Sequence, residues 1–107
     1  AVTAAERYGG HPYDHCVKLY ESEKPDALVI CTPPYAHGEI EEEAAARGIH
    51  FFVEKPVAVS LDLAARVKRA VDAAGILVQV GYMFRYAEGM LKARDLLANR
   101  CIAMVQQ

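Results

Sequence analysis

Three short apolar runs alternate with helix-like segments through the middle of the chain. The runs are ALVIC at 27–31, HFFV at 50–53 and ILVQV at 76–80, and Pro, Gly or charged residues bound each of them. A continuous apolar run of this length between breakers is typical of a strand that is buried on both faces of a sheet. Such strands, separated by helices, predict an α/β fold with a parallel sheet covered on both faces.

Caps and apolar stripes predict the helices around these strands. Ser60 is a good N-cap for a helix over 61–74, in which apolar residues recur on one face. Asp14 is predicted to cap a helix over 15–23. The other predicted elements are a helix over 3–8, a helix over 36–47, a helix that follows YMFRY and ends near Ala98, and a last strand over 102–105.

The predicted helix over 36–47 combines a short apolar face with four acidic residues. Ile40 and Ala44 are expected to face the sheet, and Gly48 is expected to end the helix. The glutamates are expected to face mostly water: Glu39, Glu41, Glu42 and Glu43.

Polar or helix-breaking residues follow each strand directly. The three segments are TPPYAH at 32–37, EKP at 54–56 and GYMFRY at 81–86. Ligands of open parallel sheets bind outside the carboxyl ends of the strands, and these ends lie along one edge of the sheet. The pattern therefore predicts a functional edge formed by the three segments together.

Each segment by itself has a plainer interpretation. Thr32 and the two prolines after it form an ordinary strand-ending turn in that interpretation. Glu54 and Lys55 form a surface ion pair worth at most about 1 kcal/mol. His37 caps a helix, and Arg85 is a solvated charge. The equivalent position of all three segments after their strands is what favours a functional interpretation.

Length and composition exclude several classes of protein. With 107 residues, the chain is one domain or part of one, and its 53% hydrophobic and 24% charged residues are ordinary for a globular protein. A net charge of -2 without a basic cluster argues against nucleic-acid binding. No run approaches the roughly 20 apolar residues of a membrane span. The three cysteines form no CxxC pair, which predicts neither disulfides nor a metal site and favours a cytoplasmic setting.

Longer segments around the three motifs carry a family resemblance. ALVICTPPYAH, GIHFFVEKPVAVS and GILVQVGYMFRY resemble successive segments of the Gfo/Idh/MocA family of NAD(P)-dependent oxidoreductases, over about residues 6–100. The resemblance implies that residues 1–84 are the C-terminal portion of a Rossmann dinucleotide-binding domain, with part of its doubly wound parallel sheet. Residues 85–107 are then implied to be the linking helix and first strand of a substrate and oligomerisation domain of α+β type. It also implies NAD or NADP as cofactor, a small sugar, polyol or related hydroxy compound as substrate, and a homo-oligomeric parent.

The resemblance assigns roles to individual residues. Lys55 matches the lysine of the family's EKP motif, which stands near the nicotinamide and assists the proton transfer that accompanies hydride transfer. Glu54 would hold this lysine and approach the nicotinamide ribose. Pro56 would fix the turn, with a Lys55–Pro56 peptide that can be cis in this family. The further cofactor-binding positions implied by the resemblance are Thr32, Pro33, Tyr35, His37, Met83 and Arg85.

The chain departs from the family pattern at the phosphate-binding loop. No three of its glycines have the GxGxxG spacing that receives a pyrophosphate, so the first βαβ unit is absent from these residues. The leading hypothesis is an internal fragment of a dehydrogenase, inactive by itself. One alternative is a non-catalytic, truncated Rossmann-like module for subunit contact or ligand sensing. Another is an enzyme of a different α/β family, in which EKP is coincidental.

Overall fold

The computed structural model describes residues 2–99, which form a parallel sheet with helices packed on it. The strands are β1 (Ala27–Ile30), β2 (His50–Val53) and β3 (Val78–Val80), in the spatial order β1-β2-β3. Both pairings are parallel. The predicted α/β class is confirmed, and the third strand begins two residues later than the apolar run suggested.

Within residues 2–99, five helices and two 3-10 turns accompany the strands. The helices are α1 (Val2–Tyr8), α2 (Cys16–Glu23), α3 (Glu39–Ala46), α4 (Leu61–Ala74) and α5 (Glu88–Ala98), and the turns are Pro34–Ala36 and Met83–Tyr86. The predicted bounds of α4 are confirmed, and Ser60 Oγ accepts a hydrogen bond from the Leu63 amide at 3.2 Å. None of the helices within residues 2–99 is long and apolar enough to cross a membrane. The strand predicted over 102–105 lies outside the described residues.

The cap of α2 differs from the prediction. His15 is the N-cap, and its Nδ1 accepts a hydrogen bond from the Val17 amide at 3.3 Å. The Asp14 carboxylate instead contacts Lys18 Nζ at 2.8 Å, and this ammonium lowers the pKa of Asp14. The prediction that Asp14 caps the helix is wrong because its carboxylate is already engaged by a side chain one turn along.

The core lies between one face of the sheet and the helices. α3 connects β1 to β2 and α4 connects β2 to β3, and the two helices pack against each other. The buried cluster contains Tyr20, Ile30, Ala44, Ala45, Ile49, Phe51, Val53 and Ile76. Because successive side chains of a strand point to opposite faces, the residues between these buried positions face away from the core.

The opposite face of the sheet is open within the described residues. Val29 is 73% exposed and Leu77 is 75% exposed. Two right-handed crossovers that advance in the same direction place both of their helices on the same side of a parallel sheet. The apolar runs predicted cover on both faces, whereas residues 2–99 supply cover on one.

Candidate functional site

The three segments that follow the strands meet at one edge of the sheet, as the sequence predicted. The Glu54 amide donates to the Ile30 carbonyl at 2.9 Å, and the Gly81 amide donates to the Val53 carbonyl at 2.9 Å. These two bonds extend the ladder past the strand ends and hold Glu54 beside the end of β1 and Gly81 beside the end of β2. We call residues 32–38, 54–56 and 81–86 the carboxyl edge.

Lys55 stands at the middle of the carboxyl edge with its ammonium available. The residue is exposed, and within residues 2–99 its side chain forms no ion pair. Half-buried Glu54 contacts it through the backbone, because Oε2 accepts from the Lys55 amide at 3.2 Å. The Lys55–Pro56 peptide is cis, as the resemblance implied was possible. The two charges are therefore not the surface ion pair of the plainer interpretation.

Gly81 makes room for the Glu54 carboxylate at the end of β3. A Cβ at this position would lie 2.9 Å from Glu54 Oε2, a distance that real Cβ atoms essentially never show, and 3.1 Å from Phe52 Cζ, which is tighter than most real Cβ contacts. Gly81 itself is buried. The contact of this glycine with Glu54 was not predicted from the sequence. The available signal was a glycine between an apolar strand and a polar segment, where a close approach is common.

Thr32 begins the first segment with one unsatisfied group. Its Oγ1 is buried and has no hydrogen-bond partner in the part of the chain that the structure describes. The Thr32 carbonyl oxygen lies 3.2 Å from His37 Nε2, so the two ends of this segment are in contact. Between them the 3-10 turn leaves Tyr35 exposed at 83%.

His37 and Glu41 form a buried pair behind this segment. Their side chains are 1% and 0% exposed, and His37 Nδ1 lies 2.5 Å from Glu41 Oε1. Glu41 Oε2 accepts from the Gly38 amide at 2.6 Å. The prediction that Glu41 faces water is wrong, because α3 begins only at Glu39 and Glu41 lies on its buried face. The neglected signals were the i,i+4 spacing from His37 and the small residues Ala44 and Ala45 on the same face.

The third segment presents its side chains to solvent. Met83, Phe84 and Tyr86 are 61%, 75% and 63% exposed. Arg85 is exposed as well. No hydrogen bond or ion pair within residues 2–99 joins the side chain of Met83, Arg85 or Tyr35 to another predicted site residue. The structure thus brings together Thr32 with His37 and Glu54 with Lys55, and leaves the other side chains available on the edge.

The carboxyl edge suits a ligand that carries hydroxyl groups and planar rings. It offers the Glu54 carboxylate and the Lys55 ammonium as polar partners. The Thr32 hydroxyl lies buried, without a hydrogen-bond partner within residues 2–99. Exposed apolar side chains such as Tyr35 and Met83 lie on the same edge. This combination of a few polar groups with apolar surface is common in cofactor sites. Within residues 2–99, no three His, Cys, Asp or Glu side chains are placed to hold a metal ion.

Comparison with known proteins identifies the family. Residues 1–82 match the model of the GFO_IDH_MocA oxidoreductase family, NAD-binding Rossmann fold. Over 81 residues, 76% of the chain, the sequence is 35% identical to scyllo-inositol 2-dehydrogenase (NAD(+)) of Bacillus subtilis. It is 36% identical over 88 residues, 81% of the chain, to inositol 2-dehydrogenase of Paracoccus denitrificans.

The solved structure of the WlbA dehydrogenase from Bordetella pertussis, in complex with NADH and UDP-GlcNAcA, matches the fold. Its TM-score is 0.84 at 26% identity, covering 92% of this chain and 28% of that one. The chain spans 22% and 26% of the length of the two curated relatives. The match over residues 1–82 shows that the chain belongs to the Gfo/Idh/MocA family of oxidoreductases with an NAD-binding Rossmann fold.

Proposed function

We propose that the chain is the second half of the nicotinamide-binding domain of a dehydrogenase. The parent enzyme transfers hydride between NAD or NADP and a small sugar, polyol or related hydroxy compound. Family membership supports the reaction class, and the names of the two inositol dehydrogenases support the substrate class. The observation that carries the proposal is Lys55, which is exposed at the carboxyl edge and forms no ion pair within residues 2–99.

Lys55 is the proposed catalytic residue. The nicotinamide ring, when bound, supplies or accepts the hydride. In the direction of reduction, the Lys55 ammonium would donate a proton to the substrate oxygen whose carbon gains the hydride. In the direction of oxidation, the neutral Lys55 amine would accept the hydroxyl proton of that oxygen as its carbon loses the hydride. Glu54 supports this role through its hydrogen bond to the Lys55 amide, which fixes the backbone where the side chain emerges.

The remaining residues of the carboxyl edge are proposed to bind the cofactor. Thr32, Pro33 and Tyr35 would line its pyrophosphate and ribose, with Thr32 Oγ1 gaining the hydrogen-bond partner that it lacks among the described residues. Met83 and Arg85 would lie beside the nicotinamide, where the exposed apolar surface of the third segment is available for packing against a ring.

The catalytic role is tested by Lys55→Met in the full-length parent. Loss of the ammonium should lower turnover by about 10²- to 10⁴-fold, while the dissociation constant for NADH or NADPH changes little. Lys68→Met is the matched control, because Lys68 is an exposed lysine of α4 that pairs with Asp72. Unchanged turnover in Lys55→Met would show that the lysine is not catalytic.

The hypothesis that the chain is part of a longer dehydrogenase is tested by sequencing the coding DNA on both sides of it. An in-frame strand, a GxGxxG turn and a helix upstream, with a long open frame downstream, would support the dehydrogenase. A start codon directly before Ala1 and a stop codon directly after Gln107 would instead favour the non-catalytic module. In that case purified protein should form a defined oligomer without dehydrogenase activity.

A further inference from the structure

His37 and Glu41 form a buried pair, and their hydrogen bond requires one proton between His37 Nδ1 and Glu41 Oε1. His37 Nε2 faces the Thr32 carbonyl at 3.2 Å, and Nδ1 faces Glu41 Oε1 at 2.5 Å. A carbonyl oxygen only accepts, so Nε2 must donate. Nδ1 then either donates to an ionised Glu41 or accepts from a protonated one. In both cases the pair is neutral as a unit, which suits side chains that are 1% and 0% exposed.

Glu41 therefore ties both ends of the segment over 32–38 to the start of α3. Its Oε2 accepts directly from the Gly38 amide at 2.6 Å, at the end of the segment. Its Oε1 orients His37, whose other ring nitrogen binds the Thr32 carbonyl at the beginning. One buried carboxyl group thus determines the separation of two backbone groups that bracket the turn with Tyr35.

Gly38 restricts the segment from the other side. Its φ is +119°, and an added Cβ would lie 2.8 Å from Leu63 Cδ1 of α4. The backbone here is therefore packed closely against α4, in a conformation that L side chains rarely adopt. The segment has little space to move toward α4 at the point where Glu41 holds it.

We propose that Glu41 is a positioning residue for the cofactor-binding segment over 32–38. It acts through His37 and the Gly38 amide, with no contact of its own to the cofactor, because its side chain is fully buried. The inference rests on the proposed function, in which Thr32, Pro33 and Tyr35 line the cofactor. A segment held in its binding conformation before the cofactor arrives loses less conformational entropy on binding.

Three substitutions of Glu41 in the full-length parent separate hydrogen bonding from charge. Glu41→Ala removes both acceptors and leaves the Gly38 amide and His37 Nδ1 without partners. Glu41→Asp keeps the charge and shortens the reach. Glu41→Gln keeps every bond, because the amide oxygen accepts from Gly38 while the amide NH₂ donates to Nδ1 of a neutral imidazole.

Titration of NADH and NADPH by fluorescence measures the effect. We expect Glu41→Ala and Glu41→Asp to weaken binding of the preferred cofactor by about tenfold, and Glu41→Gln to restore it to within about threefold of wild type. The kcat at saturating cofactor should change little, because Lys55 is not disturbed. Glu43→Ala is the matched control on α3, since the Glu43 carboxylate forms its ion pair with Arg47, away from the segment over 32–38, and it should leave binding unchanged.

The outcomes separate the inference from the proposed function. If wild type binds the cofactor and Glu41→Ala binds it with the same affinity, the positioning role is overturned and the proposed function is not. This holds even if the Tm of Glu41→Ala is lower. Binding by Glu41→Gln as weak as that of Glu41→Ala also overturns it, because hydrogen bonds would then not be the cause. Absence of binding to either cofactor by wild type overturns the proposed function, and the inference with it. If Glu41→Ala does not fold, the cofactor affinities of Glu41→Asp and Glu41→Gln are compared instead. Equal affinities of these two variants would overturn the positioning role.

Discussion

Gly81→Ala adds one methyl group beneath the Glu54 carboxylate. The new Cβ would lie 2.9 Å from Glu54 Oε2 and 3.1 Å from both Glu54 Cδ and Phe52 Cζ, where ordinary contact begins at 3.4 Å. The structure records no positive φ at Gly81, so the backbone accommodates alanine and the effect is purely steric. The substitution therefore tests whether close packing at the end of β3 holds Glu54 in position.

The required movement sets the expected magnitude. The carboxylate must retreat by about 0.5 Å and the ring edge by about 0.3 Å, because both contacts lie on the repulsive side of the van der Waals minimum. Overpacking of this kind costs about 1–3 kcal/mol of the free energy of unfolding. Because Glu54 also accepts from the Lys55 amide, its displacement should lower kcat/KM of the parent enzyme by about tenfold.

Urea denaturation and steady-state kinetics measure the two effects on the same preparation. Adding Phe52→Leu should recover part of the lost stability, because it removes the ring contact, and should not recover kcat/KM. Gly89→Ala is the matched control: Gly89 lies in α5, and an added Cβ there meets nothing within 4 Å. That control should stabilise the protein by about 0.5–1 kcal/mol and leave kcat/KM unchanged. If Gly81→Ala leaves stability and kcat/KM at wild-type values, the close approach does not position Glu54.

Two further predictions concern stability. Tyr20→Phe removes the bond from the phenol to the Ile40 carbonyl at 3.1 Å and should cost about 1 kcal/mol at pH 7. Burial raises the pKa of Tyr20, so as pH rises the unfolded chain loses the phenol proton before the folded chain does. The free energy of unfolding of the wild type should therefore fall above about pH 10, by up to about 1.4 kcal/mol per pH unit. Urea titrations at about pH 9–11 should show that Tyr20→Phe lacks this part of the decline. Parallel slopes for the two proteins would contradict this reasoning. Ser60→Ala should cost about 1 kcal/mol by removing the cap of α4, and Ser60→Asp should retain the cap; equal urea midpoints for all three proteins would show that the cap contributes nothing.

Within residues 2–99, the local pattern of the sequence was sufficient for the order of the strands and helices and for several of their bounds. β2 occupies the predicted 50–53 and α4 the predicted 61–74. Both depend on features that lie within a few residues, such as an apolar run between breakers or Ser60 before an apolar stripe. The cap of α2 was missed because it depends on competition between Asp14 and His15, and the ion pair with Lys18 decides that competition.

The position of the candidate site was also predictable, because parallel strands bring their carboxyl ends to one edge whatever their side chains are. The sequence therefore predicted that Thr32, Glu54 and Arg85 lie on the same edge. The assignment of cofactor contacts to these residues and the division of the chain at 84/85 are still predictions.

The sequence by itself determined the α/β class, the alternation of strands and helices, and the edge that carries Lys55. Only the tertiary structure decided that Glu41 is buried against His37, that Gly81 lies under Glu54, and that Val29 is exposed. The physical reason is that periodicity and caps act over one or two turns of chain. Burial and close approach depend instead on which distant group occupies the neighbouring space, and a glutamate on a helix resembles a solvent-facing residue until its partners are in place.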